Sequence, residues 1–369
     1  MNISQIILEH VQVPLREPFR ISNGEVSFKD AILVRIQTDS GVGIGEASPM
    51  GGSFYSPETP ESTWTTLVER LAPLVLAARN IEPWKFHSIL AEVDGETFAK
   101  AGIEGAVWDA AAMQTGRPLY ELLGGTRRPI PSGVAIGLYD TVEELLGRVD
   151  HFVAAGYQRV KIKIAPGRDL ELVQAVRNAH RDLPLMVDAN GAYGLEDLPL
   201  MRELDCFQLM MIEQPFGRTA LAEMAELQRN IKTPVCADES AENPHALEEI
   251  IRLGAARIIN IKVQRVGGLA VARLMHDLAC RAGLPCWLGT MPELGLASAQ
   301  GLHLATLDGF TYPTDVEASS RWFVADIIDP EIHVSPDGWI SIPDGPATGY
   351  RINEEIVEQY LVRRAVLKD

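Results

Sequence analysis

Short apolar runs that end on a charged residue return at near-constant spacing through the second half of the chain. The runs are RVKIKI, LPLMVDAN, LMMIEQP, TPVCADES and RIINIKV, and the charges that mark them are Lys161 and Lys163, Asp188, Glu213, Asp238 and Lys262. From 161 to 188, 213, 238 and 262 the steps are 27, 25, 25 and 24 residues. A step of that length holds one strand, one helix and two short loops. Serial βα units imply a parallel sheet, and many of them imply a (β/α) barrel with its chemistry at the C-terminal strand ends. The pattern predicts barrel strands at about 132–138, 159–164, 184–190, 209–215, 234–240, 257–263, 285–290 and 310–316. Helical periodicity separates them, as over Leu170–His180 and His245–Leu253.

The first third of the chain reads differently. Ile3–Pro14 and Ala31–Thr38 are strand-like, Asp39-Ser-Gly41 is a turn, and Val42–Ala47 returns as a third strand. Helical patterns follow over Glu61–Ala78, Trp84–Val93 and Phe98–Thr115, the last apolar enough to be well buried. Strands first and helices next make an α+β unit. The expected organisation is a capping domain over residues 1–125, a barrel over 126–320, and a tail over 321–369 that returns to the cap. The tail shows short strands around Trp339–Ile342 and one helix over Asn353–Leu361. The fold class is therefore α/β: a modified, TIM-like (β/α)8 barrel with an α+β capping domain built from the N-terminal region and the C-terminal tail.

Composition narrows the partners. The chain has 369 residues, 46% of them hydrophobic, and a net charge of −17. That balance argues against nucleic acid or an anionic membrane surface, either of which calls for a basic face. No apolar run reaches membrane-spanning length, and MNISQIILEHVQVPL lacks the basic start of a signal peptide. Cys206, Cys236, Cys280 and Cys286 form no C-x-x-C pair and read as small buried residues. The expected location is the cytoplasm, and the expected partner is a small molecule.

Strand alternation puts residues i and i+2 on one face, so Lys161 and Lys163 point the same way, as do Asp188 and Asn190. In a barrel those faces look into the mouth. Asp188, Glu213 and Asp238 then bring three carboxylates together from neighbouring strands, and such a group repels itself unless a cation joins it. Oxygen ligands without His or Cys favour Mg2+ or Mn2+ over zinc. Lys163 and Lys262 lie to either side of the acids in strand order. A lysine works as a base when its pKa falls toward neutrality, and a divalent ion and the neighbouring Lys161 ammonium both push Lys163 that way. Two opposed lysines can handle a proton on either face of one carbon, with the metal stabilising the enediolate between the two transfers.

Blander readings exist for each part. A lone Asp at a strand end commonly caps the next helix, and a lone K-x-K is usually a solvated edge strand. Five consecutive strands with matched endings are not explained that way. Glu239 adjoins Asp238 and is expected to point away from it. Arg265 precedes Gly267-Gly268, where a helix N-terminus can approach an anion or the glycines simply form a turn. Glu293 and Asp315 follow the seventh and eighth strands and either contact substrate or bind a loop. None of the eight histidines ends a barrel strand.

These residues resemble the enolase superfamily, and within it the muconate-lactonizing-enzyme subgroup. The shared pattern is K-x-K on the second strand, Asp, Glu and Asp on the next three, and Lys on the sixth. PLMVDANGAY, MIEQP, RIINIKVQRVGGL and the run Phe310-Thr-Tyr-Pro-Thr-Asp315 look most like the o-succinylbenzoate synthase and N-acylamino acid racemase branch. The resemblance implies Mg2+ on Asp188, Glu213 and Asp238, an acid/base pair of Lys163 and Lys262, and Lys161 positioning the bound carboxylate. It implies a small-molecule carboxylate substrate and a homo-oligomer. The reaction it implies is removal of the proton α to a carboxylate through an enediolate, as racemisation or epimerisation of an N-substituted amino acid. Dehydration of the o-succinylbenzoate precursor, dipeptide epimerisation and muconate cycloisomerisation are the enzymatic alternatives, and a non-catalytic binding barrel is the alternative from another class. Substrate contacts are expected at Asn190, Arg265, Glu293, Asp315 and Glu317. The segments Arg16–Gly24 and Ser48–Ser56, the second freed by Gly51-Gly52, are expected to close over the site. Two departures stand out: Gly289-Thr-Met-Pro-Glu293-Leu-Gly where the branch resembles G-G-M-x-E-[ST]-G, and Glu317 where the branch has a small residue. An extra acid at Glu317 favours a cationic group at the substrate's distal end, as in dipeptide epimerases.

Overall fold

The computed structural model describes residues 1–21, 24–51 and 56–368. Strands β1 (Ile3–Ile21), β2 (Gly24–Thr38) and β3 (Gly41–Ala47) form the expected antiparallel meander. β1 and β2 run further than their apolar alternation suggested. They pair as far as Phe19 with Val26 and Ile21 with Gly24, so most of the expected loop 16–24 is a hairpin. Residues 22 and 23 of that segment, and 52–55 of the second expected closing segment, lie outside the described residues.

One face of the meander is apolar. Ile6, Leu8, Ile32, Val34 and Ile36 bury themselves against helices α1 (Pro60–Thr66), α2 (Ala72–Ala77), α3 (Pro83–Leu90) and α4 (Thr97–Thr115). A single π turn at Leu67–Leu71 joins α1 to α2 without a break. Thr59 and Ser62 close a capping box on α1, and the Glu58 carboxylate accepts from the first N–H groups of α4, Thr97 and Phe98. β3 lies directly on α4. A Cβ on Gly43 would stand 2.2 Å from Ala106 O, and one on Gly45 would stand 2.1 Å from Gly102 O. Only glycine allows that approach.

The barrel pattern gives seven parallel strands side by side in chain order: Val134–Ile136, Val160–Lys163, Leu185–Asp188, Ile212–Glu213, Val235–Ala237, Ile258–Ile261 and Cys286–Leu288. The expected eighth strand, 310–316, is not regular. It meets its neighbours through single bridges, Phe310 to Cys286 and Thr314 to Ser132, because Pro313 offers no N–H to a ladder. Backbone hydrogen bonds still close the ring there, from Asp315 N to Leu288 O and from Gly133 N to Thr314 O. Met186, Met211, Cys236, Ile258 and Trp287 pack as one cluster. By alternation they share the inward face with the strand-end charges and form an apolar floor below them, Met186, Met211 and Cys236 standing two residues before Asp188, Glu213 and Asp238.

The tail does return to the cap, in a form the pattern did not show. The helix is only Glu354–Gln359, and Leu361–Lys368 is a strand paired antiparallel to β1, from Leu361 with Val11 to Lys368 with Gln5. Cys236 and Cys286 are buried, whereas Cys206 and Cys280 are exposed, against the expectation that all four are core residues. Among the described residues no helix is long and apolar enough to cross a membrane.

Candidate active site

The strand-end charges converge as their spacing implied. Lys163, Asp188 and Glu213 close their strands, and Asp238 and Lys262 stand one residue past theirs. The register sets Lys163 beside Asp188 and Asp188 beside Glu213. The three acid strands lie between the strands of Lys163 and Lys262.

Ion pairs knit the layer together. Lys163 Nζ donates to Asp188 Oδ2 at 2.6 Å and to Asn190 Oδ1 at 2.6 Å. Lys161 Nζ donates to Asp315 Oδ2 at 2.5 Å and lies 3.3 Å from Glu213 Oε2, 3.8 Å from Asp188 Oδ2 and 5.0 Å above the Trp287 ring. Lys262 Nζ donates to Asp238 Oδ2 at 2.9 Å, while the Arg265 guanidinium takes Asp238 Oδ1. Asn260 Nδ2 donates to Glu213 Oε1 at 2.7 Å.

The acids are unequally compensated. Burial pushes Asp188 and Asp238 upward, but Lys163 and Lys161 outweigh it at Asp188, and Arg265 and Lys262 at Asp238, so both stay below the usual carboxylate range. Burial and the Asp188 charge push Glu213 up to about 8. Burial works against the Lys161 ammonium, but Asp315, Glu213 and Asp188 together raise it well above an ordinary lysine, so it stays charged.

Two contributors escaped the sequence reading. Arg159 sits two residues below Lys161 on the same face, fully buried, with Nη2 2.7 Å from Asp315 Oδ1 and the guanidinium 5.1 Å over Trp287. The R-x-K-x-K alternation was its available signal. Gln214 holds a left-handed backbone (φ 39°), accepts from the N–H groups of Asp238 and Ser240 at 3.0 Å each, and donates to Ser240 Oγ at 2.7 Å. It thereby fixes the turn that carries Asp238. Only its place in Glu213-Gln-Pro hinted at this.

The expected substrate contacts divide. Lys161, Lys163, Asp188, Lys262, Asp315 and Glu317 line one cavity at the mouth. Asp315 is clamped by Arg159 and Lys161, which outweigh burial and hold it down to about 2. Glu317 is not a free acid. Its Oε1 accepts from Ala135 N at 2.9 Å, its Oε2 lies 3.3 Å from Arg321 Nε, and burial pushes it up to about 7. Glu293 lies in an adjoining cavity, accepts from Met291 N at 3.1 Å, and is pushed by burial up to about 7. Arg265 and Glu239 face a different groove, between barrel and cap. Contrary to expectation, Glu239 turns back toward the site and accepts from Asn190 Nδ2 at 3.0 Å. The anion at the helix behind Gly267-Gly268 is Glu104 of α4, which accepts from Leu269 N and Ala270 N at 2.7 and 2.8 Å. Glu46 of β3 does the same for Leu294 N and Ala297 N at 2.9 and 2.8 Å. Two cap carboxylates thus pin two barrel helices.

Comparison with known proteins matches this architecture. Residues 3–124 fit the family model "Mandelate racemase / muconate lactonizing enzyme, N-terminal domain", and residues 144–356 fit "Enolase C-terminal domain-like". The chain belongs to the enolase superfamily. It is 42% identical over 361 residues to an o-succinylbenzoate synthase of Geobacillus kaustophilus, covering 98% of this chain and 96% of that one. It is 41% identical over 360 residues to an N-succinylamino acid racemase of Amycolatopsis, covering 97% of each. A solved enolase superfamily member from Listeria innocua superposes with a TM-score of 0.95 at 35% identity, covering 100% of this chain and 99% of that one.

The donor set of this enolase-superfamily barrel suits a hard divalent ion. Asp188, Glu213 and Asp238 are all buried and offer oxygen alone. Glu213 Oε2 is buried without a hydrogen-bond partner. Among the described residues, however, no three acids already form a compact ligand cluster, and each of the three carboxylates is engaged by lysine or arginine side chains. Binding an ion requires those pairs to be exchanged for metal contacts.

Proposed function

We propose that this protein removes the proton α to the carboxylate of an N-succinylated amino acid and returns one to the opposite face, as a racemase. Asp188, Glu213 and Asp238 would hold Mg2+, with Mn2+ able to replace it. The observation that carries the reading is topological: Lys163 and Lys262 end strands on opposite flanks of the three acid strands. When bound, the divalent ion supplies Lewis-acid stabilisation of the charge that builds on the substrate carboxylate. Lys161, held as an ammonium by its three carboxylate neighbours, binds and orients that carboxylate and takes no part as a base. One of Lys163 and Lys262 enters as the free amine and takes the Cα proton. The other enters as the ammonium and delivers a proton from the far side. The two relatives named for N-succinyl and o-succinyl chemistry support a succinyl-bearing substrate. The pairing of Glu317 with Arg321 removes the argument for a cationic substrate group.

A second reading, dehydration of the o-succinylbenzoate precursor, is favoured by the kinship with o-succinylbenzoate synthases. It uses one lysine as base and the other as a cation. The two separate in D2O. A racemase washes deuterium into Cα of both enantiomers, and Lys163→Ala and Lys262→Ala each abolish exchange from a different one. If neither substitution alters exchange, the two-lysine scheme is wrong. Rapid turnover of the precursor without racemisation of any N-succinylamino acid would establish the dehydratase instead.

A further inference from the structure

Three side chains are linked across the mouth in a chain that crosses strands. Lys163 Nζ donates to Asn190 Oδ1 at 2.6 Å, and Asn190 Nδ2 donates to Glu239 Oε1 at 3.0 Å. Asn190 follows the Asp188 strand and Glu239 follows the Asp238 strand, so the link passes over the Glu213 strand between them. The Asn190 backbone is held in the left-handed region, φ 44°, with its N–H on Asp188 Oδ1 at 3.0 Å.

A primary amide has one accepting end and one donating end, and the two are nearly the same shape. Turned one way, Asn190 offers Lys163 an acceptor. Turned the other way, it offers NH2 to an ammonium, which repels. The backbone of Asn190 does not choose between these states, because it holds the residue and not the amide's rotation. Glu239 does choose, since an ionised carboxylate only accepts and therefore draws Nδ2 toward itself. Its second oxygen, Oε2, is buried and makes no hydrogen bond, so Asn190 is the partner that gives this carboxylate its use at the mouth. On the other flank, Lys262 bonds to Asp238.

We propose that Glu239 is a positioning residue for Lys163: through the amide of Asn190 it aims one of the two lysines, and so governs proton transfer at one face of Cα. The inference rests on the two-lysine reading above and deepens it. It carries a signature that a merely structural role lacks. At equilibrium the two directions of a racemisation are tied together, so a defect at either lysine lowers racemisation of both enantiomers alike. Exchange without inversion is not tied in that way. The enantiomer whose proton faces Lys262 can still be deprotonated there and receive deuterium back from the same lysine.

The test follows Cα exchange of each enantiomer of N-succinylphenylalanine in D2O by proton NMR, with saturating Mg2+. Glu239→Leu is expected to slow exchange about 10- to 100-fold for the enantiomer that Lys163→Ala silences, the scale of an ångström misplacement of a reacting group. Exchange of the other enantiomer stays within about threefold of wild type, and racemisation falls in both directions. Glu239→Gln, which can still accept but no longer only accepts, recovers part of the loss. Glu239→Ala, which also removes the acceptor, gives the same one-sided profile, and it carries the test if Glu239→Leu does not fold. Equal slowing of both enantiomers, or no slowing, overturns the inference while leaving the two-lysine reading standing. A wild-type protein that exchanges neither enantiomer overturns that reading and this inference with it.

Discussion

Among the described residues, Asp315 is the only carboxylate paired with both Arg159 and Lys161, and its neutralisation tests whether the irregular eighth stave is held by charge. In Asp315→Asn the shape is kept and the charge removed. Arg159 Nη2 loses a 2.7 Å carboxylate contact and keeps Pro313 O and Thr314 O at 3.1 and 3.2 Å. The one amide oxygen that remains can still accept from one of the two cations but carries no charge, and the other acids near Lys161 are more distant, at 3.3 and 3.8 Å. Stripping one partner from a buried pair costs about 3–5 kcal/mol, because the remaining charge stays desolvated. For a chain of 369 residues, an unfolding entropy of about 2.1 cal/mol/K per residue gives about 0.8 kcal/mol/K, so Tm falls by about 4–6 °C. Calorimetry of the metal-free protein reads the shift directly. Adding Arg159→Met removes one of the two stranded cations and is expected to restore about half of the loss. A change under about 1 °C in Asp315→Asn would show that backbone closure, rather than this clamp, holds the stave.

Other expectations follow from the same contacts. Mg2+ at about 100 times its Kd should stabilise the protein by about 2.7 kcal/mol, roughly 3–4 °C in Tm; Glu213→Gln should abolish the shift, and a Tm indifferent to Mg2+ in the wild type would refute the metal assignment. Burial pushes Glu104, Asp109, Glu293 and Glu317 each up to about 7. A folded pKa above the unfolded value means the native state holds the extra protons, so this stability is complete below about pH 4 and lost as pH rises through 7. Glu213, pushed up to about 8, adds to the same slope. Tm should therefore decline from about pH 4.5 to 8, and Glu104→Gln should make the decline shallower; a Tm that rises over that range would contradict the burial of these acids. Gly45→Ala would drive a Cβ to 2.1 Å from Gly102 O. It should cost about 2–3 kcal/mol by urea unfolding, and a neutral result would mean that β3 can lift off α4 freely.

Much of this molecule was written in local pattern. The 25-residue return of charged strand ends located the parallel strands, since a βα unit has a limited length, and the two-residue period put Lys161 and Lys163 on one face. Three strand-like runs followed by helical periodicity marked a cap distinct from the barrel. Elements failed where pairing overrode pattern. Leu361–Lys368 alternates too weakly to be read alone and becomes a strand because β1 offers it an open edge. The stretch 310–316 carries strand-like residues yet cannot complete a ladder, because Pro313 interrupts the donors.

Side-chain partners were the least legible part, for a geometric reason. Spacing along the chain tells which residues reach the mouth, because period and strand length are local properties. It does not tell which acid meets which base there, because that depends on how far the sheet curls and how loops turn after each strand. Glu239 should point away from Asp238 in a flat strand, but the turn fixed by Gln214 swings it toward Asn190. Glu317 reads as a free acid until Arg321, four residues on, comes within 3.3 Å. Arg265 reads as a substrate contact, and nothing in the sequence pairs it with Asp238, which it meets. Composition and periodicity settled the kind of charges at the mouth and the strands that carry them. Their pairing, and the burial that sets their protonation, came into being only when distant segments closed into a ring, since Coulomb energies depend on distance and on water excluded rather than on separation in sequence.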